Sequence, residues 1–371
     1  MMISKFKEAF SQQTKFIHMN NGGLAPINKF ARDKVKYWAD RFYDEGFFTD
    51  LDYVDDIKMS RVHLAKLIGC DSTEIAYFQS TASAVSQLAM QFPLEEGDEV
   101  ITWAEEYGSH LFPWQEACRR KKVTLIEVKS MEDLSTPIHL ITEKITNKTK
   151  IIAISWVQFL TGARTDLEAL SKVTREKNIF LFVDIIQGLG LHPFDMKKWG
   201  VDAVAGGCHK WLFSPIGAGF LALDQKHMLK IKPHNVGAYT FGTCDDPTDS
   251  VCEPKKDALK FEAGSKQVLE ITALGASVKF INETGVSVIE KETLRLATLL
   301  RSGLEKKDYK IHSPYQADNH LSAMVNFIPK NNSIEALRSI NCNYAIRGPG
   351  VRLSPAAFTT DEIIEKVLSV L

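Results

Sequence analysis

Between residues 74 and 223, short apolar runs rich in β-branched and aromatic residues alternate with longer amphipathic stretches, and this alternation most narrows what the chain can fold into. Such a pattern builds a mostly parallel sheet covered by helices. The spacing predicts strands at Glu74 to Gln79, Glu99 to Trp103, Val123 to Val128, Ile151 to Val157, Ile179 to Asp184, Ala203 to Gly206 and Gly219 to Leu223. Helical signals fall between most of them, as at Asp166 to Val173, where Asp166 stands as an N-cap. From Pro233 to Lys260 the periodicity is lost and Gly, Pro, Asp and Thr gather, which reads as a long connection of the kind that is often functional. Two long helical patterns follow, Lys266 to Glu283 and Val286 to Lys306. Short strands are then expected near Ser322 to Ile328 and Tyr344 to Arg347, with a final helix from Asp361. The expected fold class is therefore α/β, a large domain with a mostly parallel sheet plus a smaller α+β C-terminal domain. The expected division is an N-terminal segment 1–20 packing with the small domain, a large domain 21–259 and a small domain 260–371.

In open sheets of this kind ligands gather at the C-terminal strand ends. Asp184 falls there, closing a buried strand, with Gln187 three residues on. So does Ser80-Thr81-Ala82-Ser83, small residues opening an apolar helix whose free N–H groups make a seat for a phosphate. His209-Lys210 follows the Asp184 strand by 25 residues, within Gly207-Cys208-His209-Lys210-Trp211-Leu212. A lysine among apolar and aromatic neighbours sheds its proton by desolvation and becomes a nucleophilic amine, as carbonyl-bearing cofactors require. An aspartate at a buried strand end can keep a ring nitrogen protonated. Together they point to pyridoxal 5'-phosphate (PLP), with Lys210 as the Schiff-base residue. Taken singly, Lys210 reads as a solvated lysine, Asp184 as a turn residue and Ser80-Thr81 as an ordinary N-cap; the combination shifts the balance.

Composition excludes several classes. Lysine and arginine total 45 against 46 acidic residues, a net charge of -1, so no long-range field gathers nucleic acid or an anionic membrane. No run of about 18 apolar residues predicts a membrane span. The start of the sequence lacks a secretory pattern. Cys70, Cys118, Cys208, Cys244, Cys252 and Cys342 are scattered, with no C-x-x-C pair or zinc-like spacing. They read as reduced thiols of a cytoplasmic protein without a metal site.

The runs Val183-Asp184-Ile185-Ile186-Gln187-Gly188-Leu189-Gly190, His209-Lys210-Trp211-Leu212, Phe261-Glu262-Ala263-Gly264-Ser265 and Val351-Arg352-Leu353-Ser354-Pro355 resemble, in order and spacing over nearly the whole chain, the class V aminotransferase family of fold-type I PLP enzymes. That family includes cysteine desulfurases, selenocysteine lyases, kynureninases and isopenicillin N epimerase-like proteins. The resemblance implies that Lys210 binds the cofactor carbonyl and removes the substrate α-proton. It implies that Asp184 pairs with the pyridine nitrogen, that Gln187 faces the ring oxygen with Gln158 near another such contact, and that Tyr107 stacks on the ring. Many relatives carry histidine at the Tyr107 position. Thr81, Ala82 and His209 are implied for the phosphate, and Ser265 for the phosphate of a neighbouring subunit, hence a homodimer with shared sites. Arg352 is implied for the substrate carboxylate, and Asn20, Asn21 and Gly22-Gly23-Leu24 for the N-terminal segment that lines the substrate pocket.

The resemblance leaves β-elimination, transamination and epimerisation open. Desulfurases of the family carry a nucleophilic cysteine on a loop shortly before the carboxylate arginine, whereas the segment Cys342 to Arg352 is compact here. The leading expectation is thus a PLP enzyme acting on an α-amino acid, a β-lyase at C–S or C–Se without a persulfide cysteine. Aminotransferase or epimerase is the alternative, and a non-catalytic binding module the alternative from another class.

Overall fold

The computed structural model describes residues 2–10, 15–46, 53–242, 253–312 and 322–371. A short β1 (Ile17–His18) precedes a main sheet formed by β2 (Ile75–Phe78), β3 (Glu99–Trp103), β4 (Thr124–Val128), β5 (Thr149–Ser155), β6 (Phe180–Asp184), β7 (Ala203–Gly207) and β8 (Gly219–Leu223). Their order is β2-β8-β7-β6-β5-β3-β4. β8 runs antiparallel to both neighbours, and the other pairings are parallel. The seven expected strands are thus present, with ends shifted by one or two residues. β5 stops at Ser155 rather than Val157 because Val157 bridges to Arg164, closing a small hairpin.

Alternation along each strand divides the core. Leu181 and Val183 of β6 join one apolar cluster, and Phe180 and Phe182 join the other, on the opposite face. Helices α1 (Met2–Glu8), α2 (Lys29–Asp44), α3 (Val54–Ile68), α4 (Thr81–Gln91) and α5 (Gly108–Lys121) are followed by α6 (His139–Thr142) and α7 (Leu167–Glu176). Asp166 caps α7 as the sequence predicts, accepting from the Ala169 N–H at 2.9 Å. After the single-turn helices α8 (Met196–Trp199) and α9 (Gln225–Met228), helix α10 (Val268–Thr284) packs against α2 and α3 in the main core.

The C-terminal unit gathers its own core from α11 (Val286–Lys306), β9 (Val325–Phe327), α12 (Ser333–Ser339), β10 (Cys342–Asn343), β11 (Ala345–Arg347), β12 (Gly350–Leu353) and α13 (Asp361–Val370). β12 is absent from the sequence expectation, since an arginine at its centre reads as polar. It lies between β11 and β9, antiparallel to both. Near the N-terminus β1 pairs with β10 and Met19 enters this same core, whereas Phe6 of α1 packs on Phe213 and Phe280 of the main core. No helix among the described residues is long and apolar enough to cross a membrane.

Candidate active site

The C-terminal ends of β2, β3, β5, β6 and β7 open into a cavity of about 220 Å³, closed on its other side by β11 and β12 of the C-terminal unit. Its wall contains Thr81, Ala82, Tyr107, Asp184, Gln187, His209, Lys210 and Arg352, so the structure brings together eight of the residues expected from the sequence.

Lys210 follows β7 in a tight loop. The Cys208 N–H donates to Ala218 O at 3.1 Å and the Phe213 N–H to Lys210 O at 3.0 Å, while Trp211, Leu212 and Phe213 are buried in the main core. The anchoring apolar residues hold the lysine at only 9% exposure. Burial pushes its amine down to about 7; Asp184 opposes that shift, and the guanidinium groups of Arg352 and Arg347 add to it. His209 is driven to about 4 by burial and by Lys210, so its ring is neutral near pH 7 and offers a single N–H. Asp184 is buried, which raises its carboxyl above the usual range, while His110, the Ile186 N–H at 2.9 Å and Lys210 favour the charged form.

At the opposite wall α4 begins with Ser80 as its cap, accepting from the Ser83 N–H at 3.2 Å. Thr81 Oγ1 beside it is buried without a hydrogen-bond partner. Gly207 makes this approach possible, since a Cβ there would stand 2.8 Å from Thr81 Oγ1. Tyr107 lies with its ring centroid 5.8 Å from Lys210 Nζ and edge-on to Phe159. Arg352 is fully buried; one guanidinium nitrogen donates to Phe159 O, while Nε and Nη2 have no partner. Burial and Arg347 depress it to about 9, the mark of a cation lacking its anion. Gly22 lets the backbone pack closely on the guanidinium, because a Cβ at that position would lie 3.1 Å from Nη2.

Three expected residues are placed elsewhere. Gln158 is buried outside the cavity wall and donates to Glu106 Oε1 at 3.2 Å, as part of a network in which Glu106 also accepts from Ser155 N–H and Oγ–H. Asn21 turns to the C-terminal unit, donating to Ser354 O at 2.7 Å, while Gly22 and Gly23 of the same expected segment line the cavity. Ser265 lies in an adjoining cleft that shares Ala82 with the cavity. Gln187 lines the cavity with its amide engaged at both ends, donating to Gly22 O at 2.8 Å and accepting from Trp211 Nε1 at 3.2 Å. Sequence reading missed Arg347, Phe159 and Ser155 as wall residues. For Arg347 a signal existed: the turn at Gly348-Pro349 pairs Arg347 with Gly350 and thereby sets Arg347 and Arg352 on one face.

The donors fit the expected cofactor. An unpartnered hydroxyl at a helix N-terminus suits a phosphate, a buried carboxyl suits a ring nitrogen, and a desolvated amine suits a carbonyl carbon. Lys210 also makes a pH prediction. Uptake of PLP by the apoprotein, followed by its absorbance change, should rise with pH about a midpoint near 7; a midpoint near 10.5 would show a solvated lysine. Between those values the unfolded chain binds the extra proton, so this residue's contribution to apoprotein stability falls as pH drops through the window.

Residues 51–346 match the family model for aminotransferase class-V. A probable cysteine desulfurase of Pyrococcus abyssi is 25% identical over 272 residues, covering 73% of this chain and 67% of that protein. The coverage of two further probable cysteine desulfurases is 62% and 60% of their lengths. The apo structure of a cysteine desulfurase from Thermococcus onnurineus superposes with a TM-score of 0.87 at 20% identity, covering 96% of this chain and 94% of that one. The cystine C-S lyase C-DES, solved with its reaction product cysteine persulfide, gives 0.88 at 19% identity, covering 97% and 98%. At such identities the solved structures establish the shared fold.

Proposed function

We propose, on the premise that this chain belongs to the aminotransferase class-V family and is a PLP-dependent enzyme acting on amino acids, that it is a β-lyase cleaving a C–S or C–Se bond without a persulfide-carrying cysteine. The observation that carries this reading is the pairing, in one cavity, of a desolvated lysine and an unpartnered arginine with no cysteine among the described wall residues. Cys342 is the first residue of β10, 4% exposed, with burial driving its thiol up to about 12. Cys244 and Cys252 lie outside the described residues.

PLP, when bound, supplies a carbonyl carbon for the substrate amine and a ring that accepts the electron pair left by the α-proton. Arg352 grips the α-carboxylate through its free Nε and Nη2, the parallel pair that a planar carboxylate matches. Lys210 Nζ, neutral at mildly alkaline pH, takes the α-proton and holds it. Asp184 keeps a proton at the ring nitrogen. Thr81, Ala82 and His209 hold the phosphate, and Tyr107 covers the ring. As the Cβ–S bond breaks, its electron pair leaves with sulfur. The released three-carbon enamine takes up water to give pyruvate and ammonium, so no external oxidant or reductant is needed. Ser265, at the mouth of the adjoining cleft, is placed in this reading to reach the site of a second copy, and the working unit is a homodimer in the cytoplasm.

The test is a panel of L-cystine, S-substituted cysteines and selenium analogues on purified holoenzyme. Stoichiometric pyruvate and ammonium are expected, retained when all six cysteines are replaced by alanine or serine. Acceptor-dependent keto acid, racemised substrate, or sulfane sulfur carried on an enzyme cysteine would overturn it in favour of transaminase, epimerase or desulfurase chemistry respectively.

A further inference from the structure

Arg347 is a second cation in the same cavity, without an ion-pair partner among the described residues. Register fixes its direction: β11 pairs with β12 as Ala345 with Arg352 and Arg347 with Gly350, so the side chains of Arg347 and Arg352 share one face of the three-stranded sheet. Ile346 between them in the alternation is 55% exposed on the other face. Asn326, on the opposite neighbour of Arg352, anchors this corner by donating to Leu160 O at 2.9 Å and to Arg347 O at 3.2 Å. The bare Gly350 leaves room for Asn326, since a Cβ there would meet its Oδ1 at 2.0 Å.

Among the described residues Arg347 Nη1 donates only to the backbone carbonyl of the preceding Ile346, at 2.9 Å, and Nε is buried without a partner. No carboxylate among the described residues lies within ion-pairing distance of it. Among the described wall residues the two guanidinium groups of Arg347 and Arg352 face a single carboxylate, Asp184. The cofactor's phosphate belongs with Thr81 and Ala82 at the start of α4, and an α-carboxylate satisfies Arg352. Arg347 is left over. Arg347 is half-buried with Nε shut off from solvent, and an anion at this wall supplies the acceptor that Nε lacks.

We infer that the substrate carries a second anionic group on its side chain, held by Arg347 while Arg352 holds the α-carboxylate. This rests on the carboxylate role of Arg352 proposed above and specifies the substrate class: amino acids such as cystine or S-sulfocysteine, whose portion beyond Cβ bears a carboxylate or sulfonate, over neutral S-alkyl cysteines. The negative charge then leaves with the sulfur fragment. Arg347 thereby favours substrates whose departing group it already binds.

The test separates binding from chemistry. Glutarate and butyrate, which lack an amine and cannot react, are titrated into holoenzyme while the cofactor absorbance is followed. In the wild type glutarate should bind about tenfold or more tightly than butyrate, the worth of one charge-assisted hydrogen-bonded pair. Arg347→Gln should collapse that ratio, and Arg347→Lys should restore part of it. In parallel, kcat/KM for S-sulfo-L-cysteine should fall at least about tenfold relative to S-methyl-L-cysteine in the Gln variant. A merely structural role would weaken both ligands together and leave the ratios intact, and that result, or a wild type indifferent to the second carboxylate, overturns the inference. A glutarate preference in an enzyme that cleaves no C–S or C–Se bond would instead sink the lyase reading and leave this one standing.

Discussion

Lys210→Ala should lower turnover by about 10⁴-fold, the upper end of what a single acid–base group contributes, because the same Nζ both captures the cofactor and carries the α-proton. The purified variant should also lack the absorbance band that the wild type develops with PLP. Its fold should persist, since the loop is pinned by Trp211, Leu212 and Phe213 and by backbone bonds that do not involve the ammonium. Partial rescue by small exogenous amines would identify the missing group as a base. A variant that retained both the band and the turnover would remove Lys210 from the site.

Asp184→Ala should cost about 10²- to 10³-fold in kcat, the scale of losing one partner of a buried charge pair. Asp184→Asn is the sharper probe, because an amide oxygen can still accept from the Ile186 N–H at 2.9 Å while the charge is gone. If the carboxylate acts by keeping the ring nitrogen protonated, Asn and Ala should be similarly impaired and the cofactor band should shift in both. Recovery in Asn alone would assign Asp184 to holding the loop after β6. Acid should mimic the substitutions: burial raises this carboxyl above its usual range, so its charge is lost earlier on acidification than that of a solvated aspartate.

Much of this site is legible in the sequence for a physical reason. Strand ends in a parallel sheet converge, and residues such as Thr81, Asp184 and Lys210, which follow directly on predicted strands, inherit their positions from the sheet. The residues that were misplaced or missed lie where position depends on contacts remote in sequence. Gln158 sits just past β5, but the Val157–Arg164 bridge turns the chain and Glu106, 52 residues away, takes its amide. Asn21 is drawn to Ser354 across 333 residues, and that leaves two glycines at the wall. Arg347 depended on recognising β12, whose buried arginine breaks the apolar pattern by which strands are found.

By itself the sequence determined the alternating α/β architecture, the order of its strands along the chain and the candidate lysine, aspartate and phosphate-binding turn, because hydrophobic periodicity and strand-end position are local properties. The tertiary structure alone decided how the cavity is charged. Two arginines on one face of a small sheet and a threonine hydroxyl left without a partner follow from burial and long-range pairing, which also set how far the lysine expected to be desolvated is in fact shielded. Electrostatics in a closed site depend on what surrounds each group in space, which no local pattern encodes.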